Sequence, residues 1–101
     1  MALAENRLKA AILQYLHTLG HEAWNVNVGK TRGYYKTGKT GQSDIQGYHC
    51  RSGLAIFIEA KIPPNKPTSE QTCFLFNAAR AGCIALKAES LNDVLVERRL
   101  R

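Results

Sequence analysis

Hydrophobic residues follow two different periods along this chain, and the change of period separates its first two elements. Up to Gly20, apolar side chains recur every three or four residues, which predicts an amphipathic helix. Residues 21–28 then alternate around Trp24, which predicts a strand. The apolar stripe of the helix consists of Leu8, Ala11, Ile12, Tyr15, Leu16 and Leu19.

The next two apolar runs predict a β-hairpin. Residues 44–49 and 54–61 are separated by a short turn that contains a glycine, and the second run breaks into charge only at its C-terminal end. Since side chains alternate along a strand, Glu59 and Lys61 share one face. In an antiparallel pair the start of one strand lies beside the end of the other, so Asp44 is expected to converge with Glu59.

The C-terminal half alternates helix and strand. Thr68 and Gln71 form a capping-box pattern at the start of a helix that Gly82 ends. Residues 83–87 predict a last short strand, and Ser90 caps a final helix. The predicted order is α-β-β-β-α-β-α, an α/β fold with helices on both faces of a central mixed sheet.

Composition and charge indicate one small domain with a polyanionic partner. The chain has 101 residues, 45% of them hydrophobic, so residues 1–101 are expected to form a single domain with one modest core. A formal net charge of +6 and a pI near 9.5 favour nucleic acid as the partner. The sequence shows neither an apolar span of membrane length nor a signal peptide, which favours a cytoplasmic protein.

The converging carboxylates indicate a metal site. Two carboxylates without a cation between them repel each other, whereas Mg²⁺ prefers oxygen ligands and keeps several waters. Such an ion lowers the pKa of a water molecule and neutralises charge on a phosphate, while Lys61 can orient the water or stabilise the transition state. The alternative interpretation is a core strand that simply ends in solvated charges.

Glu5 and Gln71 each have a functional and a structural interpretation. Glu5 lies on the apolar stripe of the first helix, where a cation would explain it, yet a glutamate also favours the positive end of a helix dipole. Gln71 completes a helix cap, and it reaches the metal site only if its amide faces the end of the strand that carries Glu59. The residues alone leave both alternatives open.

A basic segment at residues 30–41 precedes Asp44. Its four basic residues, two tyrosines and three glycines, without an acidic residue, predict a phosphate-binding loop, and a solvated loop without a ligand is the alternative. Residues 33–40 also match the P-loop expression, but no helical pattern follows, which argues against nucleotide hydrolysis. The candidate DNA-binding residues are Lys30, Arg32, Tyr34, Tyr35, Lys36 and Lys39.

The cysteines and histidines lack the spacing of a zinc site. The three cysteines contain no C-x-x-C pair and are expected to be reduced and mostly packed. The histidines are expected to pack or to form hydrogen bonds, because Gly20 separates the closest two. These residues are Cys50, Cys73, Cys83, His17, His21 and His49.

In these motifs the chain resembles the virus-type replication-repair nuclease (VRR-NUC) domain family of the PD-(D/E)xK nuclease superfamily. That family has a glutamate early in the first helix, a Gly-x-Pro-Asp step, an apolar strand ending in Glu-x-Lys, and a glutamine in the following helix. The matching residues are Glu5, Gly41, Ser43, Asp44, Glu59, Lys61 and Gln71, with Ser43 where the family usually has proline. The resemblance spans most of the chain and implies a restriction-endonuclease-like core.

The resemblance also implies a metal-dependent nuclease. Lys61 and Gln71 would support water and phosphate, and Mn²⁺ would substitute for Mg²⁺ at a site formed by Glu5, Asp44, Glu59 and the carbonyl of Ala60. The implied protein is a homodimeric Holliday-junction resolvase that serves DNA repair or recombination in a bacterial or phage-infected cell. The alternatives are a catalytically silent DNA- or RNA-binding subunit and a nickase or flap endonuclease with the same metal centre.

Overall fold

The computed structural model describes residues 3–26, 29–30, 36–37 and 43–101, and for the two short pieces it describes the backbone course only. None of the described helices has the length and apolar character needed to cross a membrane. The elements in chain order are α1 (Leu3–Thr18), β1 (Glu22–Asn25), β2 (Gly29–Lys30), β3 (Lys36–Thr37), β4 (Ile45–Tyr48), β5 (Ala55–Ala60), α2 (Ser69–Arg80), β6 (Ile84–Ala88), α3 (Leu91–Leu95) and a 3₁₀ turn (Arg98–Leu100).

Four of the strands form one mixed sheet in the order β1-β4-β5-β6. The β1–β4 and β4–β5 pairs are antiparallel, while β5 and β6 are parallel and are connected through α2. The α/β class, the mixed sheet and the element order predicted from the sequence are confirmed. In the basic segment, β2 and β3 form a separate antiparallel ladder where the sequence predicted only a loop.

The core lies on one face of this sheet, which we call the inner face. β5 presents alternate residues to it, as the strand period predicts, and α1 and the C-terminal segment close it. Because these side chains are almost wholly removed from water, this face supplies most of the hydrophobic stabilisation of the domain. Its members are Leu8, Ile12, Leu16, Ala23, Ile45, Ile56, Ile58, Ala60, Ile84, Ala88, Val94 and Leu100.

Gly47 allows β1 and β4 to approach each other closely. It pairs with Ala23, and a Cβ atom at this position would overlap the carbonyl oxygen of Glu22 and the Cα of Ala23. Any side chain at position 47 would therefore separate β1 from β4, the strand that follows Asp44.

The opposite face of the sheet, which we call the outer face, is covered unevenly. α2 packs against β5 and β6, where the rings of Phe57 and Phe74 meet edge to face with centroids 5.1 Å apart. No residue of α2 is buried. On the β1–β4 half of this face, Trp24 is 47% exposed and Tyr48 is 48% exposed.

Two buried histidines attach the C-terminal segment to the β4–β5 turn. The Nε2–H of His21 donates to the carbonyl oxygen of Leu100 at 2.5 Å, and its Nδ1 accepts the backbone N–H of Cys50 at 3.1 Å. The Nε2–H of His49 donates to the carbonyl oxygen of Arg101 at 3.1 Å, and its Nδ1 accepts N–H groups of the turn. These partners assign the tautomers, and they agree with the hydrogen-bonding role expected from the sequence.

The cysteines are free, but the expectation that they are mostly packed is wrong. Cys50 and Cys73 are exposed, and Cys83 is half-buried. The reason is their location, because Cys50 lies in the solvent-exposed β4–β5 turn and Cys73 lies on the helix that buries none of its residues.

Candidate metal centre

Asp44 and Glu59 meet on the outer face, at the end of β5. The pairing of Ile45 with Ile58 places Asp44 beside Glu59, and the backbone N–H of Asp44 donates to Glu59 Oε1 at 3.1 Å. In return, the N–H of Ala60 donates to Asp44 Oδ2 at 3.1 Å. Each carboxylate is thus held by backbone beside the other, which confirms the convergence predicted from the hairpin.

Glu59 is a buried acid with an unsatisfied oxygen. Its side chain is wholly buried, and Oε2 accepts no hydrogen bond from the described residues. The Nζ of Lys61 lies 3.9 Å from this oxygen, which is too long for a hydrogen bond. Burial, and then the negative charge of Asp44, raise the pKa of Glu59 to about 8. Near neutral pH the metal-free site therefore keeps a proton on Glu59.

These features fit a divalent cation. A buried carboxylate oxygen without a donor, close to a second carboxylate, is satisfied when a hard cation replaces the proton. The groups that would hold such an ion are the carboxylates of Asp44 and Glu59. The part of the Ala60 carbonyl as a further ligand stays a prediction. When bound, such an ion supplies a water molecule of lowered pKa and neutralises negative charge on a phosphate.

Glu5 is anchored differently. Its Oε2 accepts hydrogen bonds from Asn65 Nδ2 at 2.7 Å and from the N–H of Ile62 at 3.2 Å. The bond from Asn65 is the main cause of a pKa lowered below the usual glutamate value. Within residues 3–26 and 43–101, Glu5 does not join Asp44 and Glu59 in a compact group of three carboxylates. Its role as a metal ligand stays a prediction.

Lys61 lies beside the carboxylates, whereas Gln71 caps a helix. The Lys61 side chain is 22% exposed, so its ammonium group sits at the rim of the site. Gln71 Oε1 accepts the N–H of Thr68 at 2.8 Å, and the N–H of Gln71 donates to Thr68 Oγ1 at 3.1 Å. The capping box predicted from the sequence is confirmed, and a catalytic role for Gln71 stays a prediction.

Two described residues on either side of the basic segment lie next to each other. The N–H of Val26 donates to the carbonyl oxygen of Asp44 at 2.7 Å. The backbones of Lys30 and Lys36 belong to the β2–β3 ladder, but their side chains lie outside the described part of the chain. The other candidate DNA-binding residues, wholly outside the described ranges, are Arg32, Tyr34, Tyr35 and Lys39.

Comparison with known proteins identifies the fold. A solved structure described as "VRR_NUC domain" matches with a TM-score of 0.70 and 22% sequence identity, covering 93% of this chain and 95% of that chain. This chain has the fold of a VRR_NUC domain. No protein-family model matches the sequence, and no curated protein matches it. The resemblance noted from the motifs is thus supported by the fold, while the roles of single residues depend on the geometry described above.

This VRR_NUC-type fold also brings together a histidine–cysteine group that the sequence spacing did not indicate. The potential ligand atoms of His21, His49 and Cys50 lie within 4.8 Å of one another. The Nδ1 atoms of both rings already accept backbone N–H groups, and both Nε2–H groups donate to carbonyl oxygens. A metal ion would have to break these bonds, so the group serves the packing of the C-terminal segment.

Sequence reasoning also missed Asn65, which holds Glu5. The relevant signal was present, because the Pro-Pro-Asn-Lys-Pro run at residues 63–67 marks a rigid turn directly after the Glu-x-Lys strand. Its amide reaches a residue 60 positions earlier in the chain, and only the tertiary fold sets that pairing.

Proposed function

We propose that this chain is a magnesium-dependent, structure-selective DNA endonuclease that hydrolyses phosphodiester bonds, acting as a homodimeric Holliday-junction resolvase. The observation that carries the proposal is the buried Glu59 carboxylate, which lies beside Asp44 and whose Oε2 accepts no hydrogen bond within the described part of the chain. The likeness of the fold to a VRR_NUC domain supports nuclease chemistry. The net charge of +6 supports a nucleic acid substrate.

The residues of the site have separate roles in hydrolysis. Asp44, Glu59 and the carbonyl of Ala60 hold the Mg²⁺ ion, and Mn²⁺ substitutes for it. Lys61, at the solvent-exposed rim, orients the attacking water and stabilises the negative charge that develops on the phosphate. Because Glu59 loses a proton when the ion binds, occupancy of the site increases with pH up to about 8.

Glu5 takes part after a local rearrangement, whereas Gln71 takes part from its place in the helix cap. Glu5 completes the ligand set by releasing Asn65, which is exposed and can turn to solvent. Gln71 keeps its Oε1 on Thr68, and its amide nitrogen donates to a phosphate oxygen of the substrate.

The homodimer and the four-way junction are proposed from the family resemblance, and the number of cuts agrees with them. One metal centre per chain makes one strand cut, and a two-fold dimer supplies the two centres that cut opposed strands of a four-way junction. The family resemblance supports this arrangement.

The test uses a labelled four-way junction, a matched linear duplex and a flap, each with Mg²⁺ or with EDTA. The expected result is symmetric junction cutting by the wild-type protein with Mg²⁺, absent in EDTA and in Asp44→Ala. Glu89→Gln is the matched control, because this carboxylate is exposed and pairs with Lys87 at the surface. Cutting that survives in EDTA would contradict the metal centre.

The same experiment separates the rival functions. Metal-dependent cutting of the flap, or nicking of one strand, would keep the chemistry and replace the junction as substrate. Binding to DNA or RNA without cutting in any condition would indicate a catalytically silent subunit.

A further inference from the structure

The outer face of the sheet continues from the candidate metal centre to a pair of exposed aromatic side chains. Because Ile45 is buried on the inner face, Asp44 and Gln46 point to the outer face, and Tyr48 follows two positions later. Trp24 pairs with Gln46 across the β1–β4 ladder, so it lies on the outer face as well. One continuous surface therefore carries Asp44 at one end and the two aromatic rings beyond it.

Trp24 and Tyr48 are open to solvent on this surface. About half of each side chain is exposed, and the main contacts of α2 in the described part of the chain are with β5 and β6 rather than with β1 or β4. The two residues are diagonal neighbours across the ladder, since Tyr48 pairs with Glu22 and Trp24 pairs with Gln46. Diagonal neighbours are about 7–8 Å apart, which is within the reach of large rings.

The spacing of this surface suits unstacked bases. Side chains at alternate positions of a strand are about 6.8 Å apart, which is twice the roughly 3.4 Å separation of stacked bases in a duplex. Bases that sit on successive outer-face positions must therefore be separated from one another. Trp24 lies about one such step from Asp44 along the strand, and Tyr48 lies about two steps away.

A nucleic acid strand fits this face better than a second copy of the chain. The exposed halves of two aromatic rings provide roughly 200 Å² of contact area, whereas a stable protein dimer needs about 800 Å² from each partner. The polar side chains of Gln46 and Glu22 also interrupt the apolar surface. The face is continuous with the centre where a phosphodiester would be cut, and the chain carries a net charge of +6.

We infer that Trp24 and Tyr48 form a stacking platform for unpaired nucleotides next to the scissile phosphate. The position of the scissile phosphate rests on the proposed function, whereas the binding of unpaired bases does not. The platform assigns the substrate preference to DNA whose bases are splayed or single-stranded beside the cut, such as the branch point of a junction or the base of a flap.

Fluorescence provides a direct assay, because Trp24 is the single tryptophan of the chain. The wild-type protein is titrated in EDTA with a short oligothymidylate and with a duplex of the same length. The expected result is quenching of Trp24 emission by the single strand at lower DNA concentration than by the duplex. Equal quenching by both, or none by the single strand, would overturn the platform.

Substitutions at Tyr48 test whether its ring stacks on a base. Tyr48→Ala is expected to weaken single-strand binding by about 5- to 150-fold, the range supplied by stacking of one base, and Tyr48→Phe should retain most of the affinity. The salt dependence of binding should stay the same, because the substitution removes no positive charge that neutralises a phosphate. Phe76→Ala is the matched control, since Phe76 is 61% exposed on α2 and should not affect binding.

The outcomes distinguish this inference from the proposed nuclease. Quenching that depends on Tyr48, together with no cutting in Mg²⁺, would retain the platform and refute the nuclease. Junction cutting and single-strand binding that are both unchanged in Tyr48→Ala would refute the platform and retain the nuclease. A shift from dimer to monomer in Tyr48→Ala, measured by sedimentation without DNA, would also refute the platform and assign this face to a protein interface.

Discussion

Glu59→Gln is expected to stabilise the metal-free protein, although it removes a residue of the proposed active site. The wild-type carboxyl is wholly buried, and its pKa is raised from 4.5 to about 8. Between pH 4.5 and about pH 8 the folded protein keeps a proton on Glu59 that the unfolded chain has lost, so the stability of the fold decreases as the pH rises through this range. Glutamine does not cause this loss of stability, because its side chain is neutral at every pH.

The magnitude follows from proton linkage. One proton of difference changes the free energy of unfolding by about 1.4 kcal/mol per pH unit. Between the unfolded-state pKa and pH 7, Glu59 therefore lowers the free energy of unfolding by on the order of 3 kcal/mol. This is a large part of the roughly 5–15 kcal/mol that stabilises a small domain. The glutamine Oε1 can keep the bond from the N–H of Asp44, and its NH₂ group occupies the place of the orphaned oxygen.

Urea denaturation in EDTA at pH 5 and at pH 8 measures this effect. The gain from Glu59→Gln should be small at pH 5 and largest at pH 8, while the exposed control Glu89→Gln should change stability by less than about 1 kcal/mol at both. Mg²⁺ should then stabilise the wild type at pH 8 more than it stabilises Glu59→Gln, because the variant keeps Asp44 but has lost one negatively charged ligand. A variant no more stable than the wild type at pH 8 would refute the raised pKa.

Three other predictions concern cutting, affinity and folding. Lys61→Ala should abolish junction cutting while junction affinity in EDTA stays nearly intact, and equal loss of both would contradict the separation of chemistry from binding. Replacing Lys36 and Lys39 by alanine should reduce the slope of log affinity against log salt by about 0.9 for each phosphate that the protein no longer neutralises, and an unchanged slope would place the DNA elsewhere. His21→Ala should lower the free energy of unfolding by about 2–4 kcal/mol, since it leaves a buried carbonyl and an N–H without partners. His17→Ala, at an exposed position of α1, should cost less in the same denaturation experiment, and an equal loss would contradict the role of the buried pair.

Local patterns were sufficient for the helices, for the four strands of the mixed sheet and for the pair of carboxylates, but not for the β2–β3 ladder. The strand period assigned Glu59 to one face of β5 and its apolar neighbours to the other, and the short turn forced the hairpin that brings Asp44 beside it. The capping box of Thr68 and Gln71 was likewise evident, because all its partners lie within four residues of each other. Hydrogen-bond ladders and caps depend on near neighbours in the chain, so the sequence by itself determined them.

The tertiary structure decided which groups lack a partner or gain one from far along the chain. Glu59 is an acid with a raised pKa because the fold excludes water from it and places the charge of Asp44 beside it. Among the described residues, none donates to its Oε2. The bond from Asn65 to Glu5 and the bonds of the paired histidines to the C-terminal segment join residues 50 to 80 positions apart. The exposure of Trp24 depends on how much of the sheet α2 covers. The desolvation of a side chain and the extent to which a helix covers a sheet are properties of the packed molecule. For that reason no local pattern in the sequence revealed them.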